Sequence, residues 1–310
     1  MGEPMVTVGM PVRNGEAHIR AGLDSLLGQT FGDLELVISD NASTDATQAI
    51  CEEYAARDPR VRYHRNPEDV GLQGNFQRVL DLATAPYFMW GCPDDLWDPG
   101  YVARMVEILD GHPSVVLAGS NAGWIDQDGI LRGEYDNTWM APGSTVERAQ
   151  RFIATRPGGG HATLFYGLLR TEVIQRLGYR PRGRVDDHDR GYYASDLITL
   201  FRLLFEGGFH VVGETLYFHR DSTWHAPPVR FRRLVDGRGL WRLRNVVRGV
   251  QHIHGYYRDL RAIVREQHLA TAQAAALVRA AFREELAAHP AYLDSAVRRT
   301  WAPVIAGDDR

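Results

Sequence analysis

The chain contains no lysine: every one of its 35 basic residues is arginine. That absence excludes Schiff-base chemistry and a phosphate-cradling loop closed by lysine. Cysteine is nearly missing too, with only Cys51 and Cys92 present. Two cysteines make neither a disulfide framework nor a cysteine zinc site, and they fit a reducing, cytoplasmic setting. No apolar run is long enough to cross a bilayer, and the N-terminus carries no signal-peptide pattern. Internal repeats and low-complexity linkers are absent as well.

What is present describes an ordinary globular protein. The 310 residues are 44% apolar and 24% charged, enough for one large domain or a core with an appendage. The net charge of −4 hides an asymmetry, because ten arginines between Arg230 and Arg265 face only Asp236 and Asp259. A basic tail beside an acid-rich preceding region hints at an anionic partner.

Periodicity divides the N-terminal half into alternating strands and helices. Strands are expected at 5–12, 34–39, 61–64, 87–90 and 115–118, with helices at 16–29, about 46–57, 71–83 and 99–109 between them. Such alternation implies a mostly parallel sheet with helices on both faces. After Gly119 it stops. A hairpin turning at 127–129, a helix near 146–154 and a strand at 162–169 are expected next. Residues 180–193 read as an irregular loop, a helix starts at Ser195 and Asp196, and short strands follow at 209–212 and 216–219. From Phe231 onward the pattern is helical. The expected division is a catalytic domain over 1–228, with halves 1–119 and 120–228, and a helical C-terminal extension over 229–310.

Polar residues gather where the first four strands end. Pro11, Val12, Arg13 and Asn14 follow the first strand, and Asp40 and Asn41 the second. The segment from Asn66 to Asn75 follows the third, and Asp94 with Asp95 the fourth. The carboxyl edge of an open α/β sheet is where such folds bind ligands. Adjacent carboxylates there suit a divalent cation carrying a phosphorylated substrate. Taken alone, the two aspartates read better as solvated loop acids. It is the convergence of four strand ends that argues for a site.

On these stretches the sequence resembles the family 2 glycosyltransferases, inverting enzymes with the GT-A fold. The resemblance rests on residues 11–16 (PVRNGE), 35–45 (ELVISDNASTD), Asn66 with Gly71 and Asn75, Pro93, Asp94 and Asp95 with Pro99, and 194–197 (ASDL). It covers roughly residues 5–225 and leaves the helical tail outside. It implies a nucleotide-diphosphate sugar donor, UDP- or dTDP-linked, and an acceptor hydroxyl. Pro11, Val12, Arg13, Asn14 and Glu16 would line the base and ribose pocket, together with Asn41, Asn66, Gly71 and Asn75. Asp40 would accept from the base. Asp94 and Asp95 would hold ribose and a Mg²⁺ or Mn²⁺ ion on the diphosphate, neutralising the leaving group. Asp196 would be the general base that activates the acceptor, with Asp186, Asp187 and Asp189 the fallback acids.

The chain departs from the family pattern at two positions. Arg13 stands where the family often has an aromatic residue; it can stack on a base or reach a phosphate. Cys92 stands where many members carry an additional aspartate, and a neutral thiol there is expected to pack rather than ligate. One or two carboxylates still suffice for Mg²⁺ beside phosphates and water.

Several features keep two readings. His219 and His225, with Trp224 between them, follow the last strand and would complete the metal site or remain surface histidines. Residues 158–161 (GGGH) lack the lysine and the helix of a phosphate loop and read as an acceptor-side loop. In the tail, Leu240, Leu243, Val246, Val247, Val250, Ile253 and Tyr257 form a helical stripe with Arg242, Arg244 and Arg248 between. That stripe fits packing on the catalytic domain, a peripheral contact with the inner membrane face, or a homodimer interface. No nucleic-acid-binding module accompanies the charge. Two other functions share the architecture: a catalytically silent nucleotide-sugar-binding module, and a sugar-1-phosphate nucleotidyltransferase. The second would need a glycine-rich basic loop and a lysine, which are missing. Sugar and acceptor are not legible.

Overall fold

The computed structural model describes residues 3–141, 143–155, 160–179, 195–220 and 256–284. Its first stretch alternates as the pattern predicts: β1 (Val6–Val12), α1 (Ile19–Leu27), β2 (Leu34–Asp40), α2 (Thr47–Arg57), β3 (Val61–Arg65), α3 (Gly71–Asp81), β4 (Tyr87–Trp90). A two-residue strand, β5 (Leu96–Trp97), precedes α4 (Tyr101–Gly111) and β6 (Val115–Ile125). Then come β7 (Leu131–Tyr135), α5 (Thr145–Ala154), β8 (Leu168–Arg170), α6 (Thr171–Leu177), α7 (Ser195–Leu203) and β9 (Gly208–Arg220). Further helices, α8 and α9, occupy 256–266 and 271–284.

The strands form one sheet in the order β3-β2-β1-β4-β8-β6-β9-β5, with β7 hydrogen-bonded to β6 off that path. β3, β2, β1 and β4 run parallel, and β6 runs parallel to β9, while β8 is antiparallel to both of its neighbours. Every residue of β1 and β2 is buried, as expected for parallel strands covered on both faces. On one face Val6, Val8, Met10 and Val12 join Leu23 and Leu26 of α1, Ile50 and Tyr54 of α2, and Met105 and Leu109 of α4 in a single core. On the other, Trp90 stacks on Phe165 at 4.2 Å and meets Phe88 edge-on at 4.9 Å. Phe76 of α3 stacks on Tyr179 at 5.1 Å beside them. Gly9 lets α3 approach this face, since a Cβ there would lie 2.9 Å from Val79 and 2.8 Å from Phe88.

Three elements differ from the sequence expectation. β6 is one strand through 115–125 rather than a strand followed by a separate hairpin arm. Its Gly119 and Gly123 look like punctuation, but both serve close approach: added Cβ atoms would meet Leu164 at 2.9 Å and Leu131 at 2.7 Å. β9 likewise fuses two expected short strands, absorbing the irregularity as register shifts opposite Ser120, Asn121 and Ala122. Residues 161–166 form a 3-10 helix, not a strand. Gly160 at φ 83° turns the chain, Thr163 N–H donates back to the Gly160 carbonyl at 2.9 Å, and consecutive Leu164 and Phe165 are both buried. A short apolar run does not reveal its period.

Packing divides the chain into two units, Met1–Arg148 with Pro157–Ser222, and Ala149–Arg156 with Thr223–Arg310. Among the described residues no helix is long and apolar enough to cross a membrane.

Candidate active site

β1 sits at the point where the chain changes direction across the sheet: β2 and β3 lie on one side of it and β4 on the other. Such a switch point opens a crevice at the carboxyl ends of the strands, here between the loop after β1 and the loop after β4. The loops after β1 and β2 are tied by reciprocal bonds. Asn14, at φ 53°, accepts from Thr44 N–H at 2.8 Å, while its own N–H donates to Ser43 Oγ at 2.9 Å. Gly15 N–H donates to Thr47 Oγ1 at 2.8 Å, and Glu16 accepts from Ala46 N–H at 2.9 Å. The carboxylate of Glu16 therefore holds the loop rather than reaching into the crevice.

Asp40 is fully enclosed. One carboxylate oxygen accepts from Ser43 N–H at 2.9 Å; the other accepts from Tyr63 O–H at 2.8 Å and pairs with Arg65 at 2.6 Å. Burial, reinforced by this charge, pushes the Cys51 thiol up to about 12. Three of the four acceptor positions of Asp40 are filled by these protein groups. Sequence reasoning missed Tyr63 and Arg65, although they alternate with His64 on β3 opposite Asp40.

Asn41, Asn66 and Asn75 are buried to within 3% and bonded to one another. Asn66 donates to Asn41 and Asn75 at 3.1 Å each, and Asn75 donates to the Ser39 carbonyl at 2.9 Å and accepts from Ser39 Oγ at 2.7 Å. Asn41 accepts from Val70 N–H and donates to Asp69. These side chains fasten the ends of β2, β3 and α3 into the crevice wall. At its rim Arg13 pairs with Asp69, both partly exposed, and Gly71 begins α3 at φ 76°.

Opposite lies the acidic loop. Gly22 of α1 packs beneath it, where an added Cβ would come within 2.7 Å of the Pro93 carbonyl. Cys92 donates its thiol proton to Asp94 at 2.9 Å. Burial, reinforced by Asp95 and Asp94, pushes that thiol well above its ordinary value, so it remains protonated as the sequence suggested. The two aspartates are not equivalent. Asp94 is half-buried, whereas Asp95 is fully enclosed. Asp95 accepts from Tyr217 O–H and from Arg220 N–H at 2.8 Å, and lies 3.2 Å from His219 Nδ1. Arg220 completes the clamp by donating to the Asp94 carbonyl at 2.8 Å and to the Asp126 carbonyl at 2.6 Å.

Asp196, in the first turn of α7, joins this group. Burial raises its carboxyl above the usual aspartate range, opposed by its bond from Leu197 N–H and by the charge of His219. The Tyr166 ring stacks on Tyr217 at 5.3 Å, and burial plus Cys92, Asp95 and Asp196 push its hydroxyl well up. The structure thus brings Asp94, Asp95, Asp196 and His219 together with Tyr166, Tyr217 and Arg220, which sequence reasoning missed. Tyr217 shares its strand face with His219, a period-two signal that was available. His225, Trp224, Asp186, Asp187, Asp189, Gly158 and Gly159 lie outside the described residues.

Cys92, Asp94 and Asp95 can bring ligand atoms within 4.8 Å of one another. With Asp95 committed to three protein partners, Asp94 supplies the accessible carboxylate. The 3.2 Å approach of His219 Nδ1 to Asp95 is an ion-pair distance and places the imidazole beside the acidic loop. One carboxylate beside substrate phosphates and water fits Mg²⁺ or Mn²⁺.

The model for glycosyl transferase family 2 matches residues 7–178. The chain belongs to that family. An uncharacterized protein of Mycobacterium tuberculosis is 28% identical over 261 residues, spanning 82% of this chain and 70% of that protein. A Mycobacterium tuberculosis PGL/p-HBAD biosynthesis glycosyltransferase is 34% identical over 143 residues, 42% of this chain and 56% of its own length. In fold, the chain is similar to S. aureus TarS crystallised with UDP, with a TM-score of 0.61 at 16% identity over 88% of this chain and 69% of that one. It is also similar to a Pyrobaculum calidifontis mannosyltransferase in complex with GDP-Man and Mn²⁺, with a TM-score of 0.53 at 20% identity over 99% of this chain and 77% of the other. The sheet, its crevice and the family together make this a GT-A glycosyltransferase.

Proposed function

We propose that the protein transfers a hexosyl group from a UDP- or dTDP-linked sugar to an acceptor hydroxyl with inversion. The observation that carries this is the pairing, in one crevice, of an accessible carboxylate at Asp94 with a carboxyl at Asp196 whose pKa burial raises. Similar folds bound to UDP and to GDP-Man with Mn²⁺ support a nucleotide-sugar donor.

In this reading the loop after β1 and the asparagine-fastened wall receive base and ribose, with Arg13 at the rim. Asp94 and His219 hold a Mg²⁺ or Mn²⁺ ion, and Asp95 orients His219. The cation supplies charge neutralisation to the departing diphosphate. Asp196 accepts the proton of the acceptor hydroxyl as its oxygen forms a bond to the anomeric carbon. The bond from that carbon to the diphosphate oxygen breaks on the opposite face, which inverts the centre. Burial suits Asp196 to the task, since a carboxylate with a raised pKa is the stronger base.

Replacing Asp196 by Asn keeps shape and removes the base. Nucleoside diphosphate release in the presence of acceptor should fall by a factor of about 10³, while donor binding with Mn²⁺ stays near that of the parent. Retained turnover with the fold intact would end the assignment of Asp196.

A further inference from the structure

The second packing unit contains a groove of about 780 Å³ between the end of α5 and α9. Its floor is apolar, with Ile153 fully buried and Ala280 nearly so. Its walls carry Arg151, Arg279 and Arg283 against a single acid, Glu284. Arg279 and Arg283 stand one turn apart on α9, exposed, and neither meets a carboxylate among the described residues. Like charges at that spacing repel, so the arrangement favours a negative ligand. Beside the arginine row on the same helix, Phe282 is 54% exposed, with the Arg261 guanidinium 4.9 Å from its ring.

We infer that this face docks on a membrane surface carrying anionic phospholipid, with a headgroup phosphate in the arginine groove and Phe282 reaching the acyl boundary. Three observations favour a bilayer over a single soluble anion. A helix that pairs arginines with an exposed aromatic ring has the composition of an interfacial element. The groove floor is apolar beneath the charge, which suits an amphiphile. In composition, the stretch from Arg230 to Arg265 carries ten arginines against two aspartates, a positive charge in excess of what one phosphate needs. The inference is independent of the catalytic reading, because vesicle binding requires no sugar donor.

The test is flotation of the full-length chain with phosphatidylcholine vesicles, with and without phosphatidylglycerol. The parent should float only with the anionic vesicles and sink again at high salt. Changing Arg279→Gln and Arg283→Gln together should weaken partitioning roughly thirtyfold. Phe282→Ser should weaken it further at the salt concentration where the parent is half-bound. A thermal melt checks that each variant folds; should the double variant fail, Arg283→Gln alone carries the comparison. Flotation of the folded arginine variants equal to the parent's would overturn the inference, as would no flotation of the parent. A parent melting temperature raised as much by inorganic phosphate as by anionic vesicles would overturn it too, showing a small-anion site instead.

Discussion

Neighbouring aspartates in one loop perform different work because their surroundings differ. Asp94 keeps an accessible carboxylate, while Asp95 is spent on Tyr217, Arg220 and His219. Changing Asp94→Asn should abolish Mn²⁺-dependent nucleotide binding, read by calorimetry, with little change in melting temperature. Asp95→Ala should do the reverse first: stripping a buried charge from its partners costs about 3 kcal/mol, visible as a lowered urea midpoint. Equal effects of the two on stability would refute this division. Asp196 adds a pH signature. Its folded pKa is raised by burial, so between the unfolded and folded values the native state holds a proton that the unfolded chain has already released. Stability from this group is full below the unfolded aspartate value and is lost as pH rises through the folded one. Asp196→Asn should therefore match the parent in acid and equal or exceed it at neutral pH in denaturant midpoints. The acid limb of kcat/KM should lie above the ordinary aspartate range; a limb within that range would point to another base.

At the scale of elements, the crevice is assembled by loops that bond to each other before any ligand arrives. The wall of Asn41, Asn66 and Asn75 explains why these polar residues stand at strand ends, although sequence alone suggested ligand contacts for them. An asparagine that satisfies buried backbone and one that reads a ribose look alike in a one-letter string. The strand ends were legible because Asp40 and Asp94 follow mostly apolar runs, 34–38 and 87–90. The partners Arg65, Tyr217 and Arg220 were not, because pairing across 25 to 126 positions is decided by sheet register. Gly22 was equally silent: its importance lies in the backbone it approaches. Gly22→Ala should displace the 92–95 loop and cost roughly 1–3 kcal/mol. A fall in Mn²⁺ affinity should accompany that loss, since α1 is the floor of the loop. Unchanged metal affinity in the folded variant would show that the loop is positioned without α1.

For the molecule as a whole, the parallel character of the first half followed from alternating strand and helix runs, because buried strands such as β1 and β4 are largely apolar, whereas the order β3-β2-β1-β4 is seen only in the fold. The second half was harder to read. There the sheet is extended by β8 running antiparallel and by β9 with shifted register, and a 3-10 helix replaces an expected strand. Each depends on long-range packing, such as Phe165 against Trp90, that local pattern does not encode. The crevice draws on both halves, Asp94 from the legible one and Asp196 with His219 from the other, so ligand binding should couple them. A nucleotide that binds only the folded state stabilises it by RT ln(1 + [L]/Kd), about 2.7 kcal/mol at a hundredfold excess over Kd. UDP with Mn²⁺ should thus raise the melting temperature by several degrees, and UDP with a chelator should raise it much less. Asp94→Asn should lose the manganese-dependent part while Asp196→Asn keeps it, because one residue holds the donor and the other acts on the acceptor. Loss of the shift in both variants would mean that Asp196 belongs to the donor site and that the proton acceptor lies elsewhere.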